Sequence, residues 1–384
     1  MSSPLAPPAL FQPLRVGDIE LQHRVVLTAC TRFRVDDKHV PLPHVAEYYE
    51  QRASTPGTLL VTEAVLISPA AGGYPNVPGI WSDEQVAAWK TVTDRVHAKG
   101  SFIYMQLWAL GRTANPDYLA ADGLPFVSAS DVPMGPEVLP YVPNTAPAKP
   151  SEAPSPRPLT VAEIKGYVAA YATAAHNAVH RAGFDGVEIH GANGYLPNQF
   201  LHEGSNVRTD EYGGDIEKRA RFTLEVVDAV AAAVGDRKTA IRLSPWGDFQ
   251  SMFTPDPIPM YTHLVTAMRD NHPSLAYISV IEPHSIRVGS DAIAHKNKSN
   301  DFIRAIWGNR VLMSGGGYTR ETAIAVAEAK GDVVGFGRQF IANPDLPYRL
   351  LHNLPLNKHE RAYFYGKGDT NPKGYTDYPF AARM

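Results

Sequence analysis

With 384 residues, 44% of them hydrophobic and 20% charged, the chain is long enough for two ordinary domains or for one large α/β barrel with insertions. Its formal net charge of −3, without a Lys/Arg cluster, argues against nucleic acid as the main partner, and no apolar run is long enough to span a membrane. A single cysteine, Cys30, excludes an internal disulfide framework and fits a reducing compartment, with the cytoplasm as the expected location.

The first residues, Met1 to Pro8, have neither the basic nor the apolar stretch of a secretory signal. Residues 11–21, turning at Val16-Gly17-Asp18, read as a small hairpin. Eight strand-like runs follow at 24–28, 59–62, 102–107, 186–190, 239–243, 276–280, 311–314 and 333–337. Amphipathic helical patterns at 44–52, 83–98, 161–182, 216–234, 259–270 and 320–329 lie between most of them. Thr160 and Glu163 form a capping signature that opens the third helix, directly after a Pro-rich run at 154–158. This alternation predicts a (β/α)8 TIM barrel with an N-terminal hairpin, a single domain over 1–384 whose active site collects at the C-terminal strand ends. The longest interruption, 111–158 after the third strand, is too long for a passive connector and is expected to shape or cover that site. The final Ala382-Arg383-Met384 is a loose variant of a peroxisomal address.

The stretch from Phe184 to Leu196 carries the most chemistry. A buried strand, Val187 to Ile189, ends abruptly in a Gly-rich loop bearing His190, Asn193 and Tyr195. Two donors three residues apart can reach one oxygen, and a phenol with a pKa of about 10 keeps its proton at neutral pH. That set suits reduction of a C=C bond conjugated to a carbonyl: the donors hold charge building on oxygen and the phenol supplies a proton. The same residues also suit a buried His and Asn that cap a loop, with Tyr195 as packing.

Ser314-Gly315-Gly316-Gly317 closes the seventh strand and Gly335-Phe336-Gly337-Arg338 the eighth, where α/β barrels commonly bind phosphate. Aldolases, isomerases and flavoenzymes all use such a site, so it names no reaction. The chain has no G-x-G-x-x-G opening a helix, no H-E-x-x-H and no G-x-S-x-G. His190 and His202 lack a carboxylate cluster beside them, so no metal is expected.

With these residues placed, the chain resembles the old yellow enzyme family of FMN-dependent ene-reductases over residues 10–380. The matching segments include Leu27 to Arg32, Glu47 to Ser54, Gln106-Leu107-Trp108, His190 to Phe200, Arg208 to Gly214, Arg242 to Pro245, the two Gly clusters and Gly374 to Pro379. The last looks most like the fungal branch. The resemblance implies tight, non-covalent FMN at the barrel mouth. Thr31 would bond the flavin O4, Gln106 its pyrimidine edge and Arg242 its N1/O2 edge. Ala29 and Ala64 would line the ring, while Gly316, Gly317, Gly337 and Arg338 would hold the phosphate. NADPH would reduce the flavin and leave. His190 and Asn193 would then hold the carbonyl of an enone or enal, hydride from flavin N5 would reach the β-carbon, and Tyr195 would protonate the α-carbon.

Trp108, Phe249 and Tyr375 are candidate pocket walls, suited to flat apolar substrates. Cys30, one residue from the redox-tuning position, is read as packing, and Ala29 stands where many relatives have Pro. The expected partner is a small enone or enal, within fungal secondary metabolism, acted on by a monomer or homodimer. Alternatives are an alkene isomerase of the same family, a phosphate-binding barrel lyase without flavin, and a barrel that binds ligand without turnover.

Overall fold

Each of the eight apolar runs forms a strand, and all are parallel in one closed barrel. The computed structural model describes residues 6–135, 155–283, 297–366 and 368–382. The first residues of the chain, residues 136–154 of the 111–158 insert and the Arg383-Met384 end of the address-like tail lie outside them. The strands are β1 (Val25–Leu27), β2 (Leu59–Leu66), β3 (Phe102–Trp108), β4 (Gly186–Gly191), β5 (Thr239–Leu243), β6 (Tyr277–Ile281), β7 (Leu312–Gly315) and β8 (Val333–Phe336). They neighbour one another in chain order, and β8 closes on β1 with Gly335 opposite Val26. Every residue of β2 and β4 is buried, as expected of parallel strands covered by helices outside and side chains within.

Helices α1 (Pro43–Arg52), α2 (Asp83–His97), α3 (Val161–His176), α4 (Ile216–Val234), α5 (Ile258–Asn271), α6 (Asp301–Trp307), α7 (Arg320–Lys330) and α8 (Leu346–Leu351) follow the strands in turn. The capping box expected at Thr160/Glu163 is formed, and Ser82/Gln85 makes another at α2. Such reciprocal caps satisfy N–H groups that the first helical turn leaves unpaired. The helical run expected to reach 182 leaves α geometry at His176 and finishes in a π-helical turn, Asn177–Arg181.

The hairpin pairs Leu14–Val16 with Ile19–Leu21. Val16, Ile19 and Leu21 pack with Val26, Val61, Tyr104 and Tyr277 and so plug the N-terminal end of the barrel. Arg237 clamps its turn through Asp18 and the Gly17 carbonyl. The opposite end is where the loops gather.

β2 runs four residues past its expected end. Its register with β3 shifts between Val61 and Ala64, a bulge that carries Thr62 and Glu63 and sets Ala64 beside Gln106. In the next pairs Gln106 neighbours Glu188, and His190 neighbours Arg242. Four of the expected site residues thus come together through barrel register alone.

Candidate active site

At the end of β4 the chain turns sharply. Asn193 (φ 58°) and Gly194 (φ 79°) are consecutive left-handed residues. A side chain at Gly194 would meet Gln250 Cβ at 2.8 Å and Met252 Cγ at 2.9 Å, so the turn requires glycine. It folds Tyr195 back onto His190, with ring centroids 4.7 Å apart and edge-on. Tyr195 meets Trp108 at 4.9 Å, and Trp108 meets Tyr74 at 5.7 Å.

His190 is 4% exposed, and its Nδ1 has no hydrogen-bond partner. Burial, with the nearby Arg242 charge second, holds its pKa well below the usual histidine value, so the ring is neutral at physiological pH. Burial also raises the Tyr195 pKa above the ordinary phenol value. The site therefore offers a neutral imidazole and a firmly protonated phenol side by side. That pair can polarise a carbonyl and give up a proton.

Below them, Gln106 Nε2 donates to Glu188 Oε1 at 2.6 Å inside the barrel. Burial raises the Glu188 carboxyl, opposed first by the charge of Arg242 and then by the Gln106 hydrogen bond. Its Oε2 has no partner. Glu188 was missed in the sequence, where it reads as one polar residue in an apolar strand.

Two cavities open at this end. One, of about 490 Å³, is lined by Thr31, Phe33, Tyr74, Trp108, Tyr195 and Phe249 among others. The other, of about 410 Å³, is lined by Arg242, Gly316, Gly317, Tyr318 and Gly337 among others. Ala29, Cys30 and Arg338 border both, so the two adjoin. Gly316 (φ 153°) and Gly317 (φ 76°) hold conformations that other residues rarely adopt, and no atom lies within 4 Å of where a Gly317 side chain would begin. The chain therefore offers exposed backbone there, with Arg338 beside it.

Two expectations need correcting. Tyr375 is fully buried away from both cavities, stacked on Tyr48 at 4.3 Å and 8°, with the Arg32 guanidinium 4.9 Å from its ring. Arg32 reaches from the β1 loop to the carbonyls of Phe364 and Gly374, so this aromatic anchors the C-terminal segment. Cys30, read as packing, is only half-buried and borders both cavities. Burial pushes its thiol pKa up, which keeps it protonated. Cavity walls absent from the sequence reading are Phe33, Tyr74, Arg361, Phe364 and Tyr365. His202 bonds the Phe253 carbonyl and the Gly204 N–H.

The loop bearing Thr31 is fastened from beneath by Glu63, whose Oε2 accepts the Arg32 N–H at 3.0 Å. Burial lifts the Glu63 carboxyl from 4.5 to about 7. A carboxyl raised on folding adds stability that is complete below its unfolded pKa and is lost as pH rises through the folded one. Between pH 4.5 and about 7 the protein should lose about 3 kcal/mol from this group. Glu63→Gln should flatten that slope in pH-dependent urea unfolding. An unchanged slope would place the Glu63 titration elsewhere.

The residues present fit FMN. A cation (Arg242) and an amide (Gln106) face the barrel interior, glycine backbone and Arg338 border one cavity, and His190 Nδ1 and Glu188 Oε2 are buried polar atoms without protein partners. Comparison with known proteins agrees. A model of the NADH:flavin oxidoreductase / NADH oxidase family matches residues 9–357. The chain is 48% identical over 379 residues to a Penicillium roqueforti protein named chanoclavine-I aldehyde reductase, covering 98% of this chain and 97% of that one. It is 46% identical over 384 residues to the Aspergillus flavus NADP-dependent oxidoreductase lnbE, covering 97% and 96%. A Claviceps fusiformis relative, 44% identical with 97% and 94% covered, bears the name "Probable inactive dehydrogenase easA". The crystal structure of Old Yellow Enzyme from Pichia sp. matches with a TM-score of 0.87 at 37% identity, covering 99% and 96%.

Proposed function

Because the chain belongs to the old yellow enzyme family, the NADH:flavin oxidoreductase / NADH oxidase family, we propose that it is an NADPH-dependent ene-reductase of conjugated aldehydes and ketones. Relatives of similar identity carry names of both reductases and an inactive protein, so the reading rests on this chain's own residues. The observation that carries it is the packing of Tyr195 against neutral His190 at the wall of the aromatic cavity that adjoins the Arg242 and glycine cradle.

In this reading Gln106, Arg242, Thr31, Ala29 and Ala64 hold the ring of a tight, non-covalent FMN, and Gly316, Gly317, Gly337 and Arg338 hold its phosphate. Bound there and reduced by NADPH, the flavin would supply the hydride for the β-carbon. His190 and Asn193 donate to the carbonyl oxygen and stabilise the charge that grows there. Tyr195 delivers its proton to the α-carbon and recovers one from solvent, so the C=C bond gains two hydrogens. Trp108 and Phe249 flank the substrate, favouring flat apolar enals, and a role in fungal secondary metabolism belongs to the same reading. The presence of Tyr195 favours net reduction over isomerisation. No helix among the described residues is long and apolar enough to cross a membrane, and a cytoplasmic monomer or homodimer acting on free small molecules completes the reading.

Isotope placement tests this. With cyclohexenone and unlabelled NADPH in D2O, the product should carry deuterium at the α-carbon and none at the β-carbon. An isomerised alkene without NADPH consumption would overturn the proposal. In His190→Ala, affinity for a phenol such as 4-hydroxybenzaldehyde should fall about 10-fold, the value of one hydrogen bond to a charged oxygen. Unchanged affinity would remove His190 from that role.

A further inference from the structure

The turn that aims Asn193 and Tyr195 is packed closely at Gly194 against Gln250 and Met252. Asn198 and Ser244, next to it, line a cavity of about 160 Å³ together with Met252 and Tyr261. Two consecutive left-handed residues, one of them not glycine, also need their backbone groups held. Hydrogen bonds from buried side chains hold them. The Asn193 N–H donates to Ser244 Oγ at 2.8 Å, and the Gly194 N–H donates to Asn198 Oδ1 at 2.9 Å. The Gly194 carbonyl accepts from Gln199 Nε2 at 2.7 Å.

These three side chains are 3%, 4% and 0% exposed, and none belongs to β4, whose end they hold. Each is anchored from a second direction or by its element. Asn198 Nδ2 donates to the Tyr261 hydroxyl of α5 at 3.2 Å, and Ser244 directly follows β5. Gln199 Oε1 accepts from the Arg112 N–H and the Ser128 hydroxyl of the insert, at 3.1 and 2.8 Å. The turn is thus tied to β5, to α5 and to the insert.

From this geometry we infer that Asn198 and Ser244, supported by Gln199, are positioning residues for the reaction. They set where Asn193 and Tyr195 point without touching the substrate. The inference rests on the ene-reductase reading of the site. Its consequence is a specific split. Loss of the Asn198 acceptor leaves the Gly194 N–H unpaired and lets the turn relax. The donor and the proton source then drift from the reacting atoms, while the flavin-holding residues on β3, β5 and the glycine loops stay in place.

The test uses flavin-loaded enzyme with Asn198→Leu, Asn198→Asp and Ser244→Ala. It measures 4-hydroxybenzaldehyde binding, the rate at which cyclohexenone reoxidises the reduced enzyme, flavin midpoint potential and thermal midpoint. Asn198→Leu should weaken phenol binding about 10-fold and slow reoxidation about 10- to 100-fold, with an unchanged flavin potential. Ser244→Ala should move both in the same direction by less. Asn198→Asp should restore both to within about 3-fold, since the carboxyl accepts from Gly194 and can hydrogen-bond the Tyr261 hydroxyl.

The inference fails if Asn198→Leu and Ser244→Ala both match the native enzyme. It also fails if Asn198→Asp is as impaired as Asn198→Leu while folded and flavin-loaded. Should Asn198→Leu not fold, Ser244→Ala and Asn198→Asp decide. Native enzyme that neither binds the phenol nor is reoxidised would sink the ene-reductase reading itself, and this inference with it.

Discussion

Tyr195→Phe should slow reoxidation of the reduced enzyme by an enone about 10²- to 10⁴-fold, the usual contribution of a positioned proton donor. Reduction by NADPH should proceed at its normal rate, because no proton from Tyr195 enters that half. The substitution is clean. The ring keeps its edge-on contacts with His190 and Trp108, and only the hydroxyl at the cavity wall is lost. Stability should therefore change by less than about 1 kcal/mol. Stopped-flow measurement of each half-reaction separates the cases. Equal loss in both halves would make Tyr195 a structural residue, and no loss in either would mean that the proton comes from elsewhere.

Arg242→Met should have the largest effect on the cofactor. Arg242 is the strand neighbour of His190, and its charge is the leading influence against the burial that raises the Glu188 carboxyl. Removing it takes away the cation expected beside the flavin and the charge that most opposes the desolvation of Glu188. Truncating one partner of a buried charged set costs about 3–5 kcal/mol, so FMN affinity should fall on the order of 10²- to 10³-fold. Arg242→Lys should recover part of it, keeping the charge but not the planar fork. Flavin content after desalting and fluorescence titration of apoprotein with FMN measure the effect. Native-like retention by Arg242→Met would take Arg242 out of the flavin site.

The barrel was legible because its strands are short apolar runs spaced by helical patterns, and a fully covered parallel sheet allows little else. β2 was cut short because Glu63 interrupts its apolar run. The bulge there hides the polar residue, with the Glu63 N–H on the Tyr49 hydroxyl and its carboxylate on the Arg32 N–H. α6 and α8 escaped notice because seven- and six-residue helices show no full amphipathic period.

Within the site, His190, Asn193 and Tyr195 could be read together because one local turn joins them. Phe33, Tyr74, Phe364 and Tyr365 could not, since they converge on one cavity from distant parts of the chain. Tyr375 shows the converse. A Tyr near the C-terminus gives no sign of which face it takes, and here Arg32, Tyr48 and Arg34 surround it. The clamp formed by Asn198, Ser244 and Gln199 was equally hidden, because its residues read as ordinary polar positions until the left-handed turn they hold is seen.

The central claim is that this barrel carries FMN and passes reducing equivalents from NADPH to a conjugated C=C bond. A visible spectrum of the purified protein, followed anaerobically by NADPH and then by cyclohexenone, tests it most directly. The account predicts flavin absorption that bleaches with NADPH and returns with the enone. A colourless protein that takes up no added FMN, or a bleached flavin that the enone leaves reduced, would contradict it.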